Sequence, residues 1–204
     1  MNQNIELKDT LYYEDLIYAI KKIGNIECTE NKDTEERIRT RLQPVYDEKQ
    51  KQENEIVGEE LSDFELDLFL VLRKIGKRAG DPFKSIENIR KYPELIQKEI
   101  LVLQDKKIEN DILNHLKYVV ENMGYKDYFH LGESAEQRVC LFKRNNLWEV
   151  YIVERSISFD KAVFEECFDA CIEVINQLAD SKETFEKGKE SFSIIKKLIP
   201  QKNK

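Results

Sequence analysis

Apolar residues recur with a helical period through most of the first half of the chain. Leu11, Leu16, Ile20 and Ile23 predict a helix over 9–23, and Gly24 suits its end because glycine accepts positive φ. Over residues 27–60 the period nearly vanishes. Only Ile38, Leu42 and Val45 keep it, and Pro44 interrupts them, so a short helix is expected near 33–43, then a mobile or solvent-facing segment. Ser62 followed by Glu65 is a capping box ahead of an apolar run. Leu61, Phe64, Leu68, Leu72 and Ile75 form the stripe of that helix. Leu66, Phe69, Leu70 and Val71 broaden it enough to place the helix at the centre of a core, with Gly76 closing it. Gly76, Gly80 and Asp81-Pro82 mark a loop. Pro93 suits a helix start; Ile96, Ile100 and Leu103 predict a helix over 94–104, and Ile108, Ile112, Leu116, Val119 or Val120 and Met123 a second over 108–123, ended by Gly124.

The period then shortens. Tyr125–Leu131, Arg138–Phe142 and Leu147–Val153 are short, aromatic and β-branched, as strands are. Lys143-Arg144-Asn145-Asn146 joins the last two as a hairpin, because asparagine tolerates the left-handed backbone of tight turns. Both faces of these strands are fairly apolar, so helices are expected on one, with a partner or the N-terminal half over the other. Phe164, Cys167, Cys171, Val174, Ile175 and Leu178 predict a helix over 163–179. Phe185, Phe192, Ile195 and Leu198 predict a last one over 183–198, stopped by Pro200. The fold class is α+β: a helical region over 1–105, then helix, three-stranded antiparallel sheet and helix over 106–180, and a basic helical tail over 181–204.

Composition narrows the function classes. With 36% charged residues, 41% hydrophobic ones and few breakers (seven Gly, four Pro), the 204-residue chain favours helix. Its ten Phe and nine Tyr can fill a core without disulfides or metal. No apolar run approaches the ~18 residues of a membrane span, and the N-terminus lacks the basic start and apolar core of a signal peptide, so a cytoplasmic location with free thiols is expected. The net charge of −7 divides into +4 over residues 181–204, with seven Lys and three Glu, and −11 over residues 1–180. An acidic body suits a basic partner and disfavours nucleic acid. The tail reads first as a solvated segment, and second as a place where a nucleic-acid adaptor or regulator would make contact.

No catalytic set stands out. His130 and Cys140 would form a nucleophilic pair only if the fold joined them. Cys167 and Cys171 share a helix face but lack the second pair that zinc needs, and read as small core residues. Gly76-Lys77-Arg78-Ala79-Gly80 lacks P-loop spacing and the following Ser or Thr. The neighbours Glu35-Glu36, Glu59-Glu60 and Glu165-Glu166 point about 100° apart on a helix and form no dyad. No cofactor or metal is expected. Glu154-Arg155, at the end of an apolar strand, is the polar pair of most interest. Neighbouring strand residues face opposite sides, so one should lean inward and tie the strand to the next helix, or both serve a partner.

A hairpin ending in Trp148-Glu149-Val150-Tyr151, then Glu154-Arg155, an isolated Phe164 and a helix opening with Asp169-Ala170-Cys171 resembles small immunity proteins of bacterial polymorphic-toxin systems, over residues 125–180. Ser156 stands where that group tends to have glycine. The resemblance implies a cytosolic protein that binds a cognate, basic protein toxin and blocks it by occlusion. The binding residues expected on that reading are Trp148, Tyr151, Glu154 and Arg155 on the hairpin, with the acidic side chains Asp47, Glu48, Glu59 and Glu60.

Overall fold

A computed structural model describes residues 5–42, 62–80 and 89–197. Two compact units emerge, Lys8–Lys107 and Met1–Leu7 with Ile108–Lys204. Among the described residues no helix is long and apolar enough to cross a membrane.

The first unit is helical: α1 (Tyr12–Gly24), α2 (Lys32–Arg41), α3 (Asp63–Arg78) and the beginning of α4 (Pro93–Asn122). Asn31 caps α2 through Thr34 N–H at 3.1 Å, and the Ser62–Glu65 box caps α3 from both sides. Tyr12, Leu16, Ile20, Phe64, Leu68, Ile75, Ile96 and Ile100 meet in the core. Gly24 lies inside α1, where an added Cβ would come within 2.7 Å of Ile96 Cδ1. The left-handed C-cap is Asn25 instead, at φ 55°. Gly76 likewise is a buried residue within α3. Two buried carboxylates tie the helices together. Asp15 on α1 accepts from Arg37 Nη2 and Arg41 Nε of α2, both at 2.8 Å, and Glu99 on α4 pairs with Lys74 (2.8 Å) and Arg78 of α3. Burial makes each carboxylate depend on both cations, since neither can be left uncompensated.

α3 departs from its expected place. Phe64, Leu68, Ile75 and Gly76 are buried, but Leu66, Phe69 and Leu70 lie on its open side, 44%, 53% and 46% exposed. A second correction concerns α4. The two helices expected over 94–104 and 108–123 are one 30-residue helix. Asp105-Lys106-Lys107 breaks the apolar period, yet all three are good enough helix residues to carry it through. The break marks a change of core: Ile96, Ile100 and Leu103 belong to the first, Ile112, Leu116 and Val119 to the second.

The second unit packs the later part of α4, α5 (Cys167–Leu178) and α6 (Lys182–Ser193) with a four-stranded sheet of order β1-β2-β3-β4. β1 (Phe129–Leu131) runs parallel to β2 (Val139–Arg144); β3 (Leu147–Glu154) and β4 (Ile157–Phe164) continue antiparallel. The expectation of three antiparallel strands is therefore corrected twice. β1 is parallel because residues 132–138 cross the outer face of the sheet and return the chain to the start of β2. β4 follows β3 through a two-residue turn and takes in Phe164, so α5 starts only at Cys167 and not at residue 163. Trp148 and Val150 on β3 and Val139 and Leu141 on β2 pack on Cys171, Val174 and Ile175 of α5. Phe192 and Ile195 join the same core, so the basic tail is anchored as far as its described residues go. On the outer face Cys140, Tyr151 and Val153 are buried with Ala135 of the crossing segment against them, so the chain covers part of that face itself.

Candidate functional site

The β3–β4 hairpin gathers the exposed features that chemistry of recognition needs. Strand β3 ends at Glu154, paired in register with Ile157. The two residues between them, Arg155 at φ 51° and Ser156 at φ 63°, make a turn with both central residues left-handed. Such a turn matches the twist of the strands but favours Asn, Asp or Gly, as in the β2–β3 turn, where Asn145 and Asn146 occupy the same region (φ 51° and 66°). Arg155 and Ser156 are held there from outside. The Glu136 carboxylate accepts from Arg155 N–H and, at 3.3 Å, from Ser156 N–H. Glu136 belongs to the crossing segment. That segment is fixed by Gln137 N–H to the Val153 carbonyl (2.8 Å), Tyr151 O–H to the Glu133 carbonyl, and Ala135 N–H to Cys140 Sγ (3.3 Å).

Glu154 and Arg155 are both exposed. Neither leans inward, and no ladder ties them to the following helix: a turn, not a continuing strand, receives Arg155, so strand alternation does not apply to it. Beside them Ile157 and Phe159 stand 58% and 45% exposed, and Val163 is exposed on the other face, level with Glu149. The middle of β4 is irregular. Asp160 takes φ 50°, its carbonyl accepts from Gln177 Nε2 at 3.1 Å, and Lys161 pairs with Glu149 at 3.0 Å. A bulge with charges blunts an edge strand against indiscriminate pairing, so side chains at the hairpin end are what a partner would meet.

Of the residues expected to bind, Glu154 and Arg155 are thus brought together with Ile157 and Phe159, which sequence reading did not single out. Trp148 is sunk in the core, and Tyr151 is buried under the crossing segment with its hydroxyl engaged. Neither ring reaches the surface; their aromatic bulk serves packing, which is the commoner use of such residues in a strand. Asp47, Glu48, Glu59 and Glu60 lie outside the described residues.

Set against family models, curated proteins and solved structures, the chain gives no match. The register does set His130 beside Cys140 on neighbouring strands. Burial, however, pushes the Cys140 thiol up and the His130 imidazole down, with Arg138 adding to the latter. The Cys140 thiol is directed to the Ala135 and Arg138 carbonyls, and burial keeps it short of the thiolate that a nucleophile needs. Burial and the neighbouring Cys167 hold the Cys171 thiol well above its ordinary value. Among the described residues no cluster of His, Cys, Asp or Glu could hold a metal ion. What the hairpin can do is present two apolar side chains, a carboxylate and a guanidinium on a fixed backbone.

Proposed function

We propose that this chain binds a cognate protein toxin and neutralises it by occlusion, as an immunity protein does, with the β3–β4 hairpin as part of its contact surface. The observation that carries the reading is the juxtaposition of exposed Ile157 and Phe159 with Glu154 and Arg155 on a turn whose backbone Glu136 sets in advance. Desolvated apolar and arginine anchors dominate binding energy, and a preset backbone lowers the ordering cost of association. The resemblance over residues 125–180 supports the same class, and the acidic chain suits a basic target. The nucleic-acid reading has less support. In the described tail Lys187 is tied to Glu183, Lys196 lies over the Phe168 ring, and Phe192 and Ile195 are buried.

Affinity purification of the tagged chain from the cells that make it, at low and high salt, tests the proposal. One stoichiometric protein is expected, and its activity should fall when the purified chain is added back. The double variant Ile157→Glu/Phe159→Glu should bind it about 1,000-fold more weakly, two anchors at roughly 2 kcal/mol each. Trp148 fluorescence checks that the variant is folded. A folded variant that binds and inhibits like the wild type removes the hairpin from the surface, and a chain that recovers no protein target removes the function.

A further inference from the structure

The open face of α3 is an apolar surface that the described residues leave uncovered. Leu66, Phe69, Leu70, Arg73 and Lys77 follow one another at helical spacing along one side of the helix, and all are exposed. Its charges are sorted by end. Asp63, Glu65 and Asp67 occupy the first turns, and Arg73, Lys74, Lys77 and Arg78 the last. Lys74 and Arg78 are committed to Glu99 within the chain and Asp63 to Lys8 at 2.8 Å, whereas Arg73 and Lys77 make no ion pair among the described residues.

We propose that this face is a homodimer contact, in which α3 of one copy lies antiparallel to α3 of a second copy about a two-fold axis passing between Phe69 and Leu70. Two-fold contact requires a self-complementary surface, and α3 supplies one. The axis sets Phe69 against Leu70 of the second copy and Leu66 against the aliphatic stem of its Arg73. Lys77 of each copy then falls beside the Ser62–Asp63 end of the other. A parallel pairing would instead stack acidic end on acidic end and basic on basic. The antiparallel one opposes unlike ends and also the two helix dipoles. Apolar side chains thus fill the centre and charges the two rims, the anatomy of a protein interface.

The contact is small. A helix of 16 residues is about 24 Å long, and a single helix pair buries less than the ~1,200 Å² of a standard interface. The dimer is accordingly weak and reversible, with dissociation in the micromolar range.

Sedimentation equilibrium of the full chain from about 1 to 300 µM reads it directly. A monomer–dimer equilibrium is expected. Leu66→Glu/Leu70→Glu, at positions already open to solvent, should keep the circular dichroism of the wild type and raise the dissociation constant at least 100-fold. A cysteine introduced at Leu70, close to the axis, should link two copies under mild oxidation. One at Lys77, roughly 22 Å from its symmetry mate at 1.5 Å rise per residue, should not. A wild-type chain that stays monomeric throughout overturns the proposal, as does a dimer indifferent to the double glutamate variant. Efficient linking through Lys77→Cys would reject the antiparallel pairing. Sedimentation of a monomeric chain with phosphatidylserine vesicles, lost in the same double variant, would assign the face to an anionic membrane surface instead.

Discussion

Serine at position 156 is in a conformation that costs it energy. A side chain at φ 63° crowds its own carbonyl, a strain of about 1–2 kcal/mol that glycine escapes. Glycine gives part of that back, because it loses more freedom on folding, roughly 0.5–1 kcal/mol. The net expectation for Ser156→Gly is a gain of about 0.5 kcal/mol, seen as a raised urea midpoint followed by Trp148, the chain's single tryptophan. Glu136→Ala should move the midpoint the other way by about 1 kcal/mol, since two turn N–H groups lose a charged acceptor for water. If Ser156→Gly lowers the midpoint, the serine side chain is contributing something the turn geometry does not reveal.

Elements were legible where a signal is local and unopposed. The capping box at Ser62, the Asn145-Asn146 turn and the stripe of α5 each needed only neighbouring residues. β4 was hidden because Asp160-Lys161 interrupts its alternation, and the interruption is a bulge, not an end. Missing β4 meant missing Ile157 and Phe159, whereas Glu154 and Arg155 were conspicuous as charges after an apolar run. Glu136 had no local signature: it serves a turn 19 residues away. The apolar width of α3 suggests depth from sequence alone, although an exposed leucine is ordinary and only a buried polar group is diagnostic. Gly188 shows the same asymmetry. It carries no local signal, yet a Cβ there would lie 2.6 Å from Met123 Sδ and 2.9 Å from Ile175 Cγ2. Alanine would gain up to about 1 kcal/mol of helix propensity and lose about 1–3 to overpacking against the stiff Ile175. Gly188→Ala should therefore destabilise by about 1 kcal/mol in urea unfolding, where propensity alone would have it stabilise.

Over the whole molecule the titratable groups divide by pH rather than by position in sequence. Asp63 is held below the usual carboxylate range by Lys8, Glu35 by Tyr18 and Lys22, Glu121 by Lys126, and Asp180 chiefly by Thr184. Between its folded and unfolded values each such group binds more protons unfolded, so the stability it gives is present above the unfolded value and is lost as pH falls through the folded one. At the other end burial raises Tyr12 in the first unit, helped by Asp67, and pushes Tyr151 in the second up to about 12. An unfolded phenol ionises near 10. Between about 10 and 12 the unfolded chain has therefore released a proton that the folded unit retains, and stability falls as pH rises. Trp148 lies in the core of the second unit, beneath the sheet that carries Tyr151, so its fluorescence follows that unit's unfolding. For Tyr151 the loss is on the order of 1 kcal/mol by pH 12, after allowing for partial solvent screening. Tyr151→Phe should be less stable at pH 7, lacking the bond to the Glu133 carbonyl. Its urea midpoint should nevertheless fall less than that of the wild type between pH 9 and 11.5, so the two profiles converge. Parallel profiles would mean that the phenol ionises in place, which requires the crossing segment over the outer face to open before the core does.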